Sequence, residues 1–218
     1  MRLPPVSPMS ATSPAYHLKS DRLHLEAFDP GAVDEVVAVL RAEQARLKRY
    51  MPFAVEIAPL DKQRETFATF RKRFADRNFT FFIRHRSSGH FLGGCGLHPT
   101  VGPLGAEIGY WLRADAVGHG YASEAVKMLC HLAFEQEGLD RVELRIEPAN
   151  EPSIAVATRL GFRHEGVLAR RFPWPRGEPR DVSVFTLFHH EFAKRAWAQR
   201  ADRFDESGQP LPAANSEP

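Results

Sequence analysis

The chain has 218 residues, of which 43% are hydrophobic, and its formal net charge at pH 7 is +2. This composition is typical of a globular domain with its own core, and the charge is too small to indicate nucleic-acid binding. The sequence shows neither an apolar run long enough to cross a membrane nor a signal-peptide pattern, and its two cysteines are too few for a disulfide framework, so we expect a cytoplasmic protein.

Both ends of the chain are rich in proline and poor in residues that could be buried. Such segments rarely gain enough from burial to offset the entropy lost on ordering. We therefore predict a disordered arm over residues 1–14, a folded domain over 15–204 and a disordered tail over 205–218.

Apolar spacing in the first half of the domain alternates in some segments and follows the helical period in others. Phe67, Phe70 and Phe74 are three and four residues apart, which predicts one helix that buries them in the core. Ser87-Ser88-Gly89 separates two apolar runs, as in a β-hairpin. The predicted elements are a strand at 17–28, helices at 30–48 and 61–76, and strands at 79–85 and 91–97.

The second half alternates strands and helices less regularly than a doubly wound fold would. The predicted elements are a strand at 105–112, a helix at 122–138, a strand at 142–146, a helix at 153–160, strands at 162–168 and 181–188, and a terminal helix at 191–203. This order predicts an α/β fold in which helices flank one mixed sheet.

A glycine-containing turn, Val117 to Ser123, comes directly before the third predicted helix. Free backbone N–H groups at a helix N-terminus can bind phosphate, although a tight turn alone would also explain the two glycines. The dinucleotide pattern G-x-G-x-x-G is incomplete because Ser123 stands at its last glycine position. The G-K-[ST] ending of a phosphate-binding loop is absent as well.

Seven segments stand out by their order and spacing: Ser20 to Leu25, Tyr50 to Phe53, Glu107 to Leu112, Gly118 to Ala125, Val142 to Arg145, Asn150 to Ser153 and Arg159 to Phe162. Together they resemble the GNAT superfamily of acyl-CoA-dependent N-acetyltransferases. The first two look like its RimJ/RimL branch, which includes acetyltransferases of ribosomal-protein N-termini. The resemblance covers about 175 residues, most of the folded domain.

The resemblance implies a mixed, mostly antiparallel sheet of about seven strands that splays between strands four and five. The pantetheine arm of acetyl-CoA lies in that gap, and no metal is needed. Where the family has Gln or Arg, this chain has Val117, so one polar contact to the cofactor is missing. The implied cofactor-binding residues are Trp111, Leu112, Val117, Gly118, His119, Gly120, Tyr121, Ala122, Ser123, Asn150 and Ser153.

Ser153 stands where relatives place the proposed acid for the departing thiolate, although it could also cap its helix. Asn150 is implied to contact pantetheine, or else is a turn residue. The base is harder to assign, because the glutamate of some RimL-type enzymes falls at Phe172 here. Glu107 is the leading alternative, acting through a water molecule, and an ion pair across the sheet is the competing role.

Acceptor selection is predicted at Tyr50, Phe53, Arg171, Phe172 and Trp174, which combine charge with aromatic surface; an exposed loop is the alternative for the last three. The predicted reaction is direct acetyl transfer, in a ternary complex, to a protein N-terminal α-amine or a small-molecule amine. Nucleic acid and membrane are not expected as partners, and a homodimer is one expectation because relatives often form dimers. A non-catalytic acyl-CoA-binding module is the competing function.

Overall fold

The computed structural model describes residues 13–197 and 202–211, which form one nine-stranded sheet with helices on both faces. Its strands are β1 His17–Lys19, β2 Leu23–Ala27, β3 Phe79–His85, β4 Phe91–His98, β5 Gly105–Leu112, β6 Arg141–Ile146, β7 Arg163–Phe172, β8 Arg180–Phe188 and β9 Asp202–Phe204. Its α-helices are α1 Val33–Leu47, α2 Leu60–Lys72, α3 Tyr121–His131, α4 Glu151–Leu160 and α5 His189–Phe192. A π-helical turn at Leu132–Gln136 continues α3, and short 3-10 turns lie at Pro30–Ala32, Pro52–Ala54, Arg73–Asp76 and Ala114–Ala116.

The sheet opens at its centre, where its two parallel strands meet. The strand order is β7-β8-β6-β5-β4-β3-β2-β1-β9, and within it only β5 and β6 pair in parallel. Residues 105–107 of β5 pair with residues 141–143 of β6. Beyond them, residues 108–112 of β5 do not pair with residues 144–146 of β6. The gap predicted between strands four and five is therefore confirmed, since β5 is the fourth predicted strand and β6 the fifth.

Alternation along the strands builds a hydrophobic core on each face of the sheet. Ile108 and Leu144 pack with Leu129 of α3 on one face. Phe82 packs with Phe28 and with Phe67 of α2 on the other. Burial of these apolar side chains is the main favourable contribution to folding. It holds the helices on each face against the strands that surround the gap.

The sheet has two strands more than predicted, and both additions lie at the same edge. The predicted strand at 17–28 is a hairpin of β1 and β2, because Ser20 N donates to the Leu23 carbonyl and turns the chain. The terminal helix predicted at 191–203 is wrong in its described part: α5 ends at Phe192, and β9 pairs with β1. Residues 198–201 of that prediction lie outside the described residues. Strand β1 would otherwise leave an unpaired edge, and pairing there overrides the local helix propensity.

Within the predicted tail, the described residues 205–211 form two backbone hydrogen bonds: Leu211 N donates to the Arg203 carbonyl and Asp205 N to the Gln209 carbonyl. Of the predicted arm, Ser13 and Pro14 are described, and Gln136 Nε2 donates to the Ser13 carbonyl at 3.0 Å. The rest of the arm, 1–12, and of the tail, 212–218, lie outside the described residues. None of the helices in the described part of the chain is long and apolar enough to span a membrane.

Candidate active site

The loop before α3 presents backbone N–H groups at one end of the gap. Gly118 and Gly120 have φ values of 87° and 81°, in the left-handed region that glycine adopts without strain. The first helical hydrogen bond runs from Glu124 N to the Gly120 carbonyl at 3.1 Å. The N–H groups of Tyr121, Ala122 and Ser123 thus precede Glu124 N, the first donor of the helix, and together with the helix dipole they favour an anion here.

Arg22, in the turn between β1 and β2, braces this loop. Its Nε donates to Glu124 Oε2 at 2.7 Å, and its Nη1 donates to the His119 carbonyl at 3.0 Å. Ser20 Oγ donates to the second Glu124 oxygen at 2.7 Å. The bonds neutralise a carboxylate that would otherwise repel phosphate, and they hold the loop against the sheet edge. Residues 22 and 124 are too far apart in sequence for spacing alone to have indicated this contact.

Val117 and His119 differ in what they can offer a phosphate. Val117 is 48% exposed and its side chain is apolar, so only the backbone of this residue can form a hydrogen bond to a cofactor. The His119 ring is exposed, stacks on Tyr121 at 5.7 Å between centroids, and places Nδ1 3.1 Å from the Val117 carbonyl. His119 is therefore the polar side chain of the loop nearest the position where the family has Gln or Arg.

Trp111 and Leu112, at the end of β5, face opposite sides of the sheet. The Trp111 indole packs against Phe91 on the side of α1 and α2, at 5.7 Å between centroids. The Leu112 side chain joins the core beneath α3, and its carbonyl accepts a hydrogen bond from Arg46 of α1. A ligand arm in the gap would consequently meet the backbone of β5, with the Leu112 carbonyl already engaged.

Ser153 lies in the first turn of α4, and its hydroxyl faces that of Tyr110. Burial raises the pKa of Tyr110, while Ser153 acts in the opposite direction. Among the described residues, no hydrogen bond of ordinary geometry satisfies the buried Tyr110 hydroxyl. Asn150, not Ser153, occupies the N-cap of α4, and its side chain is buried without capping the helix. The side chains of Asn150 and Ser153 are thus available to contact a ligand in the gap. Tyr110 is a site residue that the sequence did not indicate.

A cavity of about 540 Å³ lies on the other face of the sheet, beneath α1 and α2. Its floor contains Gly94, Gly96 and Gly109, and no atom lies within 4 Å of the place where a Gly109 Cβ would stand. Gly109, Tyr110 and Trp111 line the cavity and also belong to the part of β5 that has separated from β6. The cavity and the gap therefore meet along one short stretch of strand.

The role predicted for Phe67, Phe70 and Phe74 needs a correction. Phe67 and Phe74 are buried in the core, as predicted. Phe67 and the half-buried Phe70 also form part of the cavity wall, where they pack edge-on against Phe28. Two of the three residues predicted to lie in the core thus also line the cavity.

Glu107 and His98 are cross-strand partners beside the cavity. Burial raises the pKa of the Glu107 carboxyl, while a hydrogen bond from Thr100 Oγ1 at 3.0 Å acts against it. No ion pair within the described part of the chain includes Glu107, since Arg145 pairs instead with Glu143. The alternative of an ion pair across the sheet is not what the structure shows, and Glu107 keeps a carboxyl oxygen free to take a proton.

His98 was not indicated by sequence, because an isolated histidine at a strand end has no distinctive pattern. Its Nδ1 lies 2.7 Å from Asn78 Oδ1, which assigns the proton to Nδ1 and leaves Nε2 as an acceptor on the cavity floor. Burial lowers the pKa of His98 to about 4, with Arg73 contributing in the same direction. The ring is therefore neutral near pH 7 and does not repel an ammonium group.

The predicted acceptor residues separate into two groups. Phe53 lines the cavity and is 47% exposed at its mouth. Tyr50 Oη donates to the Ala149 carbonyl at 2.9 Å, which ties the end of α1 to the loop before α4. Arg171 and Phe172 lie on β7, outside the cavity lining, and Trp174 is covered by Arg180 at 3.5 Å from its ring centroid. The structure brings only Phe53 into direct contact with the cavity.

Comparisons with known proteins identify a family and a shared fold. The Acetyltransferase (GNAT) domain family model matches residues 22–163. An uncharacterized N-acetyltransferase of Bacillus licheniformis, p20, is 38% identical over 52% of this chain and 64% of its own length. YdaF of Bacillus subtilis, whose name provisionally designates a ribosomal N-acetyltransferase, is 28% identical over 79% of this chain and 94% of its own. RimJ of Mycobacterium smegmatis, solved with CoA-disulfide, shares the fold with a TM-score of 0.73 at 24% identity, over 86% of this chain and 92% of its own.

The chain belongs to the GNAT acetyltransferase family. Relatives named as ribosomal-protein acetyltransferases support the resemblance to the RimJ/RimL branch. It is an N-acetyltransferase that uses acetyl-CoA and transfers the acetyl group to an amine. The glycine loop, the open gap and the cavity beside it are the features of the structure that fit this reaction.

Proposed function

We propose that this chain acetylates the N-terminal α-amine of a peptide or protein, and that the amine enters through the cavity beneath α1 and α2. The observation that carries the proposal is the stretch Gly109 to Trp111, which borders both the gap and the cavity. An acyl group held in the gap and an amine held in the cavity would meet at this stretch. Names of relatives that refer to ribosomal-protein acetyltransferases support a polypeptide acceptor.

Glu107 takes the proton of the amine in this proposal, through a water molecule. An α-amine has an unperturbed pKa near 8, so a modest base suffices, whereas lysine would need a stronger one. The neutral Nε2 of His98, the cross-strand neighbour, accepts a hydrogen bond from the incoming amine. These two side chains hold and move the proton while the amine nitrogen attacks the acyl carbon.

Ser153 supplies the proton on the opposite side of the gap. Acetyl-CoA brings the activated thioester; the new C–N bond forms as the C–S bond breaks. The departing thiolate needs a proton, and the Ser153 hydroxyl, which faces the Tyr110 hydroxyl, can pass one on. Ser153→Ala should therefore lower kcat more than it changes acetyl-CoA affinity.

The phosphates of acetyl-CoA are proposed to bind the backbone from Gly118 to Ser123. Calorimetric titration of acetyl-CoA into the wild type and Gly120→Glu tests this. We expect at least about 100-fold weaker binding by the variant, because a carboxylate is placed against the phosphates. Gly120→Ala is the matched control, since it carries the same left-handed backbone strain without the charge. Equal affinities of the Ala and Glu variants would contradict the phosphate assignment.

Initial rates with an unblocked peptide test direct transfer in a ternary complex. When acetyl-CoA and peptide are both varied, double-reciprocal lines should intersect. Parallel lines would instead indicate an acyl-enzyme, for which the buried thiols are poor candidates because burial raises the pKa of Cys95 and Cys130. Tight acetyl-CoA binding without product from any peptide or small amine would overturn the proposal in favour of a binding module.

A further inference from the structure

The wall of the cavity beneath α1 and α2 is almost entirely apolar. Helix α1 and the segments that follow it contribute aliphatic side chains, and the phenylalanines of α2 and Phe28, which directly follows β2, contribute rings. Trp111 closes the sheet side, with its indole over Gly94. The apolar side chains of the lining are Phe28, Val36, Leu40, Met51, Phe53, Ala58, Phe67, Phe70 and Trp111.

Charge is confined to the mouth of the cavity. Glu56 is the one charged side chain among the described residues that line it, and it is exposed and paired with Arg176 at 2.9 Å. The other polar residues of the lining are uncharged: Gln63 and Thr66 on α2, Thr80 on β3, His98 on β4 and Tyr110 on β5. A charged substituent against the apolar wall would lose its hydration and gain no partner of opposite sign among the lining residues other than Glu56.

The volume of about 540 Å³ lies within the usual range for sites that enclose a small organic group, about 300–1,000 Å³. The glycine floor leaves this space open, and the aromatic walls offer edge and face contacts to another ring. An acceptor whose substituent is only a methyl or hydroxymethyl group would leave most of it unfilled.

We propose that the preferred acceptor is a primary amine whose adjacent carbon carries a bulky apolar side chain, with that side chain filling the cavity. The inference rests on the proposed function, because it assumes that the cavity is the acceptor site. Such a group is found at peptide N-termini that begin with Phe, Leu, Ile or Met, and in arylalkylamines. Small or charged N-terminal residues are the acceptors that this wall excludes.

The test compares kcat/KM at saturating acetyl-CoA for pentapeptides that differ only in their first residue, which is Phe, Leu, Ala, Ser, Asp or Lys. Phenethylamine forms a second arm. We expect Phe and Leu to exceed Ala and Ser by at least about tenfold, and Asp by more. If the Phe peptide reacts and phenethylamine does not, the acceptor is a polypeptide. If phenethylamine reacts and the Phe peptide does not, the acceptor is a small amine. Either result supports an apolar side chain in the cavity.

Ser, Ala or Asp peptides that react as fast as the Phe peptide would overturn the inference while leaving the proposed function intact. If phenethylamine reacts and no peptide does, the polypeptide acceptor of the proposed function fails while the apolar cavity is supported; if neither reacts, both fail. The two failures are therefore distinguishable within one panel.

A charge placed on the cavity wall provides an independent test. Gln63→Glu is nearly isosteric and adds a carboxylate at a half-buried lining position of α2. We expect at least about a tenfold loss with the Phe peptide and a gain with the Lys peptide. Thr69→Glu adds the same charge at an exposed position of α2 outside the lining and should change neither. Indistinguishable profiles for the two variants would contradict the inference, provided that both bind acetyl-CoA like the wild type.

Discussion

Glu107 is the side chain through which pH should control the reaction. A general base works only when ionised, so the rate should rise with pH through the Glu107 pKa, and burial places that pKa above the range of an exposed glutamate. Glu107→Gln should lower kcat/KM by about 100-fold or more and remove this acid limb. The measurement is kcat/KM for one peptide across pH 4.5–9.

Glu165→Gln is the matched control for that prediction. Glu165 is an exposed glutamate on β7, paired with Arg163 at 3.0 Å, and it lies outside the cavity lining. The same pH profile as the wild type is expected for it. An unchanged acid limb in Glu107→Gln would exclude Glu107 as the base.

Arg22 allows a second prediction at the scale of single residues. Because its guanidinium joins Glu124 to the His119 carbonyl, Arg22→Lys should lose the forked geometry but keep the charge. We expect acetyl-CoA to bind about tenfold more weakly, with kcat at saturation little changed, since Arg22 positions the loop rather than the reacting atoms. Titration and saturation kinetics check the two halves of this statement.

Glu124→Gln supplies the control for Arg22, because it removes the carboxylate and leaves the arginine. If Arg22 acts through Glu124, the double variant should lose no more affinity than Arg22→Lys alone. Additive losses would mean that Arg22 contacts the cofactor itself.

Single residues were predictable from sequence where the motif is local. Gly118 and Gly120 form a local turn before a helix, and Asn150 and Ser153 match a short segment of the family resemblance, so the sequence indicated all four. Arg22 and His98 were missed because each gains its role from a partner that a different element brings to it. Local spacing contains no information about such contacts.

At the scale of elements, β5 owes its role to the separation from β6 beyond residue 107. Gly109 stands in that separated part, and a Cβ there would meet no atom within 4 Å. Gly109→Val should therefore leave the fold intact, or raise Tm slightly, because valine suits a strand better than glycine. The added side chain enters the cavity, so KM for the peptide should rise at least about tenfold.

Gly96→Ala gives the contrasting result, since its Cβ would lie 2.4 Å from His98 Nε2. We expect this variant to lose stability as well as activity. Thermal unfolding followed by circular dichroism, with peptide KM measured alongside, separates the two cases. A peptide KM unchanged in Gly109→Val would mean that the acceptor does not reach this floor.

Elements were predicted best where apolar spacing is long and regular, as in α1 and α3. The segment 191–203 failed because its helix propensity competes with an open strand edge that exists only once β1 has formed. The strand at 17–28 failed because the turn at Ser20 depends on a hydrogen bond rather than on glycine or proline. In both cases a tertiary or local contact outweighed the pattern.

At the scale of the whole molecule, the cavity could not have been derived from sequence. It requires the glycines of β4 and β5 to lie beneath α1 and α2, and the strand order that places them there is a property of the assembled sheet. The resemblance to a known family predicted the gap and the mixed sheet, but not the apolar wall. Acceptor selection is thus a property of how this particular chain packs.

The buried state of His98 makes the stability of the whole protein sensitive to acid. Its pKa is about 4 in the folded protein and near 6.5 when unfolded, so between these values the unfolded chain binds more protons. The contribution of neutral His98 to the stability of the folded protein is fully present above pH 6.5 and is lost as the pH falls through 4. The difference between the folded and unfolded pKa values of His98 corresponds to about 3 kcal/mol of the free energy of unfolding. His17 and His24, whose pKa values burial also lowers, act in the same direction.

His98→Gln should be less stable than the wild type at pH 7, because the ring packing over Gly96 is lost, yet its stability should fall less between pH 6.5 and 4. Urea unfolding at half-unit pH steps gives the two curves, and their difference isolates His98 from the carboxylates that also titrate there. His190→Gln, at an exposed position of α5, is the control and should follow the wild type. If the His98→Gln curve runs parallel to the wild type over this interval, His98 is not the buried neutral group that the cavity floor requires.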